Sequence, residues 1–146
     1  MRVGLDTNLL VYAVDSSGDK AKHALALRLV GQVANGGVLS MQALTELYAV
    51  LTRKGIASAS RAQAHVGAWR RAFTIATPIS SDLDDAMRVH DDHGIPFWDA
   101  MMWATLRRAG ARILLTEDLQ DGRELEGVLF LNPFNPANDS RIGETL

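Results

Sequence analysis

Asp6, Glu46, Asp99 and Asp118 carry most of the chemical potential of this chain. They lie far apart in sequence, yet each falls in or beside a segment where a strand ends or a helix begins or runs. A compact α/β fold can bring all of them to one crevice. Carboxylates gathered there repel each other, so such a cluster calls for a compensating cation. Hard oxygen donors suit Mg²⁺ or Mn²⁺, whose usual work beside carboxylates is hydrolysis of a phosphodiester.

Each acid also has a structural reading. Asp6 ends an apolar strand in V-G-L-D-T-N, and open α/β sheets bind ligands beyond the carboxyl ends of their strands. Asp6 or Asn8 could equally cap the next helix. Thr7 and Asn8 could hydrogen-bond the first carboxylate or a bound phosphate. Glu46 sits inside a helix at the border of its apolar face, where a long side chain can reach a crevice. Asp99 opens a helix with an unusually apolar sequence, so capping the positive helix end is its alternative. Asp118 follows the strand I-L-L, with Thr116 and Glu117 beside it, and so repeats the placement of Asp6. Asp121 is either a supporting group for the site or a turn residue. Asp82, Asp84 and Asp85, and the pair Asp91 and Asp92, read as solvated helix faces. His23, His65, His90 and His93 show no metal-ligand spacing. Trp98 and Trp103 read as core or edge packing rather than a base-stacking platform.

The elements that must position these groups follow from apolar periodicity and caps. Strands are expected at Arg2–Leu5, Val38–Leu39, Phe73–Ala76, Arg112–Leu115 and Val128–Leu131. An apolar helical turn is expected over Leu9–Val14. Helices are expected over Lys20–Ala34, with Ala24, Leu25, Leu27, Leu29, Val30 and Val33 inward, and over Met41–Arg53, capped by Ser40. There Leu44, Leu47, Tyr48 and Leu51 form the packed face. Another helix starts at Ser58 or Ser60 and runs to Arg71. Ser80 or Ser81 caps a further helix over Asp82–Asp92, with Asp84 as acidic capping-box partner and Leu83, Ala86, Met87 and His90 inward. A last helix covers Trp98–Ala109. Residues 132–146 form a C-terminal tail on the surface. Strands alternating with helices predict a three-layer α/β/α domain over residues 1–146, with a mostly parallel sheet.

Bulk composition narrows the classes. With 47% hydrophobic and 22% charged residues the chain is globular, not disordered. It has no cysteine, which excludes disulfides, thiolate catalysis and zinc–sulfur sites. The net charge of -2 excludes a uniformly basic surface but permits a basic rim around an acidic centre. Arg53, Lys54, Arg70, Arg71, Arg107, Arg108 and Arg112 are candidates for that rim. No signal peptide and no apolar run of bilayer length, about 20 residues, is present, which predicts a cytoplasmic protein. There is no P-loop, no Gly-rich dinucleotide turn and no nucleophile elbow. Asn8, standing where an aspartyl-phosphatase would carry its second aspartate, argues against that mechanism.

The chain resembles the PIN-domain family, and within it the VapC toxin ribonucleases of bacterial toxin–antitoxin pairs. The resemblance rests on L-D-T-N-L-L-V-Y-A at Leu5–Ala13, S-M-Q-A-L-T-E-L-Y at Ser40–Tyr48, and W-D-A at Trp98–Ala100. L-L-T-E-D-L at Leu114–Leu119 and N-P-F at Asn132–Phe134 complete the set in family order. It implies that Asp6, Glu46, Asp99 and Asp118 are the acidic quartet, supported by Thr7, Asn8 and Thr116. It further implies a five-stranded parallel sheet, Mg²⁺ with Mn²⁺ as substitute, a homodimer, an antitoxin partner, and RNA, for example transfer RNA, as substrate. Trp98 departs from the tyrosine expected before the third acid. The other classes open to this sequence are an RNA- or protein-binding module without catalysis, and a metal-dependent phosphohydrolase of DNA or small phosphate esters.

Overall fold

The computed structural model describes residues 2–146. The strands are β1 (Arg2–Leu5), β2 (Val38–Ser40), β3 (Thr74–Ala76), β4 (Ala111–Leu115), β5 (Glu124–Leu125) and β6 (Val128–Leu131). The helices are α1 (Thr7–Val14), α2 (Lys20–Val33), α3 (Met41–Arg53), α4 (Ala59–Ala72), α5 (Ser80–His93), α6 (Phe97–Arg108) and α7 (Asp139–Thr145). The strands lie side by side in the order β3-β2-β1-β4-β6-β5. Every pairing is parallel except that of β5 with β6.

The five expected parallel strands are therefore present, and β5 adds a short antiparallel edge. It escapes sequence periodicity because it is two residues long. Its signal lies in the turn instead: Glu126 at φ 46° and Gly127 at φ 86° reverse the chain between Leu125 and Val128. Positive φ at both central positions matches the twist of a tight hairpin, and glycine adopts it without strain.

Strand alternation sorts the core into two layers. Val3, Leu5, Leu39, Ile113, Leu115 and Leu131 face one cluster, which α1, α2, α3, α4 and α7 cover. Val38, Leu114, Val128 and Phe130 face the other, covered by α5 and α6. Gly4 is on this second side, and a Cβ there would stand 2.9 Å from Leu106 Cδ1. Its absence lets α6 lie close on β1. The sheet grows from β1 in one direction through β2 and β3 and in the other through β4 and β6. The gap between β1 and β4 is thus the topological switch point, where the carboxyl ends of the strands open a crevice.

Caps and faces depart from expectation in places. Ser40 Oγ accepts from Ala43 N at 3.0 Å and Ser58 Oγ from Arg61 N at 3.2 Å, so both serines cap their helices. In α2 the inward stripe is Ala26, Leu29, Val30 and Val33, and Leu27 is exposed. In α3 Ala43 takes the inward place expected of Tyr48, which is exposed. In α5 the inward residues are Asp82, Ala86 and Val89, while Leu83 and Met87 are exposed. The cause is Asp82. It is 1% exposed, not solvated. One of its oxygens accepts from Ile79 N at 2.9 Å, so Asp82 rather than Asp84 closes the first turn, and Ile79 is the cap position. Arg108 Nε and Nη2 donate to the same carboxylate at 2.9 Å, and Arg108 Nη2 also reaches Thr77 O at 2.7 Å. The pair ties α5 and the β3–α5 loop to the end of α6. It also removes Arg108 from the rim candidates.

Burial pushes the Asp82 carboxyl up, but the Arg108 guanidinium and the Ile79 amide outweigh it and hold it below the ordinary carboxylate range. A depressed acid stabilises the fold above its unfolded pKa, and that contribution vanishes as pH falls through the depressed value. Arg108→Ala should therefore cost roughly 2–3 kcal/mol at pH 7, discounted for the partly exposed guanidinium. The difference from wild type should shrink below about pH 4, where Asp82 is neutral in the variant. Urea titrations at the two pH values check this; an equal cost at both would count against the buried pair.

Candidate functional site

β1 and β4 pair with Leu5 opposite Leu115, and the Asp6 amide donates to Leu115 O at 3.1 Å. This places Asp6 and Thr116 side by side at the ends of adjacent strands. Thr116 Oγ1 donates to Asp6 Oδ2 at 2.7 Å and accepts from Asp118 N at 3.1 Å. One hydroxyl thus orients the first acid and the loop that carries another. Asp6 Oδ1 accepts from Thr7 N at 2.6 Å, so Asp6 also caps α1. The capping and site readings of Asp6 are compatible, because the carboxylate that caps α1 also faces the crevice.

The turn after Asp6 links the other acids. Thr7 Oγ1 donates to Glu46 Oε2 at 2.9 Å, and Asn8 Nδ2 donates to Asp118 Oδ2 at 2.8 Å. Gln42, one turn before Glu46 on α3, donates to Glu46 Oε1 and to the Trp98 carbonyl, each at 3.2 Å. That bridge joins α3 to the first turn of α6, where Asp99 stands. The four acids and Thr7, Asn8 and Thr116 therefore occupy one end of the switch-point crevice. Asp121 is engaged elsewhere: its carboxylate accepts from Asn132 N at 2.9 Å, Asn135 Nδ2 at 2.8 Å and Asn138 Nδ2 at 2.9 Å. It pins the segment leading into α7.

Electrostatics mark the crevice as short of positive charge. Asp6 is only 6% exposed, and its pKa is pushed up to about 7. Burial is the main cause; Asp118 and Asp99 add repulsion, while the Thr116 and Thr7 hydrogen bonds oppose the rise. Asp99 is also raised, first by burial and then by Asp118 and Glu46. Among the described residues none of the four acids forms an ion pair. The nearby Lys22 is spent on Glu117 at 2.8 Å. Its ammonium also lies 5.0 Å from the ring centroids of Tyr12 and Phe134. Arg107 contacts Glu126, whose main chain accepts from Arg107 Nε at 2.9 Å.

The donor set suits a hard divalent cation: carboxylate oxygens with lone pairs to spare, no thiol or imidazole, and an unmet need for positive charge. Among the described residues no three acidic side chains converge closely enough to hold an ion unaided. Water molecules or a rotamer change would have to complete its shell. The sequence reading missed Gln42, whose position four residues before Glu46 on an exposed helix edge is the one signal it gives. Trp103 is fully buried in the core, whereas Trp98 is 65% exposed and meets the Phe97 ring edge-on.

The PIN domain family model matches residues 3–120. No curated protein sequence matches. Among solved structures, the Mycobacterium tuberculosis toxin VapC20, described as cleaving the sarcin–ricin loop, is similar at 20% identity and TM-score 0.64. That match covers 80% of this chain and 89% of the toxin. A toxin–antitoxin complex from Klebsiella pneumoniae is similar at 16% identity and TM-score 0.68, covering 90% and 98% of the two chains. Rickettsia felis VapBC2, solved bound to a DNA fragment from its promoter, gives 16% identity, TM-score 0.65 and coverage of 90% and 98%. At these identities the likeness is one of fold.

A raised acid pKa has a definite sign. Between the ordinary carboxylate range and about pH 7, folded Asp6 binds more proton than unfolded Asp6, so stability falls as pH rises. Asp6→Asn removes this burden. In chelator it should melt above wild type at pH 8, by at most about 4 kcal/mol, and the gap should close toward pH 4. Mg²⁺ should raise the melting temperature of wild type more than that of the variant. Calorimetry showing the variant much less stable in chelator would remove Asp6 from a strained acidic cluster.

Proposed function

The chain belongs to the PIN domain family, and from that premise we propose that it is a metal-dependent endoribonuclease acting as the toxin of a toxin–antitoxin pair. The observation that carries the reading is the cation-poor quartet at the switch point, with Asp6 raised to about pKa 7 by burial and by its acidic neighbours. Asp6, Asp99 and Asp118 would hold one or two Mg²⁺ or Mn²⁺ ions, partly through water, with Glu46 orienting the attacking water or completing a second position. A bound ion would lower the pKa of water and offset charge developing on the phosphoryl oxygens.

The chain's own groups do the rest. Thr116 fixes the Asp6 carboxylate and, through its contact with the Asp118 amide, the loop beside it. Thr7 and Gln42 hold one Glu46 oxygen each, which fixes the direction of that long side chain. Asn8 holds Asp118. These donors are neutral, so they orient the acids without cancelling the charge that attracts a cation. Water rather than the ribose hydroxyl attacks, so the products carry a 5′-phosphate and a 3′-hydroxyl. The substrate is RNA, with transfer RNA one candidate. The resemblance to toxin–antitoxin complexes supports a small antitoxin partner; a homodimer and work in the cytoplasm complete the proposal. Among the described residues no helix is long and apolar enough to cross a membrane.

The test is cleavage of total RNA with end-mapping in Mg²⁺, in Mn²⁺ and in chelator. Discrete metal-dependent cuts are expected, and Asp6→Asn and Asp99→Asn should each reduce kcat roughly 100-fold or more. Thr116→Val, which keeps shape but loses the hydroxyl, should cost roughly 10- to 100-fold while the protein stays folded. Products ending in 2′,3′-cyclic phosphate would exclude the mechanism.

A further inference from the structure

We propose that Trp98 is a nucleobase platform, stacking on an unpaired base next to the phosphodiester that is cut. The proposal rests on the nuclease reading and names its substrate class: single-stranded RNA or an exposed loop. Trp98 is the most exposed large hydrophobic side chain among the described residues, at 65%, in a chain whose Trp103 is fully buried. Its place is fixed. It precedes Asp99, its carbonyl accepts from Gln42, and the same Gln42 amide donates to Glu46. The Phe97 ring, 5.3 Å away and edge-on, buttresses the indole.

Charge explains why an aromatic belongs there. No basic side chain pairs with Asp6, Glu46, Asp99 or Asp118 among the described residues, so a backbone phosphate finds no protein cation on these acids. The cations nearest in sequence to α6's far end, Arg107 and Arg108, are engaged by Glu126 and Asp82. A contact that is indifferent to charge adds affinity beside the cut whether or not a cation is bound. Stacking on a neutral indole is such a contact, and it is open only to a base that is not inside a duplex. A large exposed aromatic also costs the free protein unfavourable hydration, which a stacked base relieves.

The experiment compares wild type, Trp98→Ala and Trp98→Phe in Mg²⁺ cleavage. Beside it, tryptophan emission is followed in a Trp69→Phe background during titration with a mixed-sequence single-stranded oligoribonucleotide, and the Trp69→Phe/Trp98→Phe protein gives the contribution of buried Trp103 to be subtracted. Expected results are a rise in KM of roughly 5- to 100-fold for Trp98→Ala with kcat nearly unchanged, and near-wild-type KM for Trp98→Phe. Emission should be quenched by the single strand and not by the same sequence as a duplex. Wild-type cleavage with unchanged KM in Trp98→Ala and no quenching would overturn the platform while leaving the nuclease standing. Equal quenching by duplex would also overturn it. A Trp98→Ala protein that binds RNA as wild type but loses self-association in light scattering would assign the indole to a protein interface. If wild type neither cuts nor binds any RNA, the nuclease reading and the platform fall together.

Discussion

Leu5 lies opposite Leu115 in parallel register, and the remaining geometry of the crevice follows from that pairing. It puts Asp6 and Thr116 at the same height on adjacent strands, so a threonine hydroxyl can reach the first carboxylate. It also makes β1 and β4 the centre of a sheet that grows outward on both sides. The helices that follow β1 and precede β4 then fall on opposite faces, α1 in one core and α6 in the other. Each delivers its first turn to the same end of the sheet. Asp6 and Asp99 come together because of this splitting, although 92 residues separate them in the chain.

The crevice is held by neutral donors and starved of cations. Salt bridges would stabilise the metal-free fold more. Lys22 is held by Glu117, Tyr12 and Phe134 in a separate cluster. Glu117 stays below the ordinary range there, because Lys22 and the Tyr12 hydroxyl outweigh its burial. Asp82 likewise uses Arg108, and Glu126 uses Arg88 and Arg107. The well-paired acids are the ones that pin elements together. The acids at the switch point keep their repulsion, which is stored free energy that a bound cation would release.

Much of this frame was legible, for physical reasons that differ by residue. Asp6 and Asp118 were visible because a charged residue closing an apolar strand is a local signal, and both strands lie in the buried middle of the sheet. Ser40 was visible as a cap because its hydroxyl bonds only three residues ahead. What stayed hidden depends on partners distant in sequence. Asp82 looks like a solvated acid until Arg108, 26 residues on, is placed against it, and that contact turns α5 so that Met87 faces out. Strand order, the fate of Asp121 and the bridge made by Gln42 have the same character. β5 was missed for a separate reason, since two residues have no period.

Trp98 shows how the two kinds of information differ. Six neighbours in α6, Ala100, Met101, Met102, Trp103, Ala104 and Leu106, are buried apolar residues, so the local pattern invites an inward tryptophan. The helix is apolar on nearly every side because it is wedged between the sheet and α5. Its first turn projects beyond that wedge, and there the same residue type meets solvent. Projection also explains why Asp99 is half-buried rather than sealed. The α6 end emerging at the crevice gives a rigid mount, anchored by Gln42 and by the core behind it, for one carboxylate and one aromatic side by side. A loop could present the same two residues, but their spacing would then fluctuate. Mounted on a helix, they hold a fixed separation that one nucleotide step can match or fail to match.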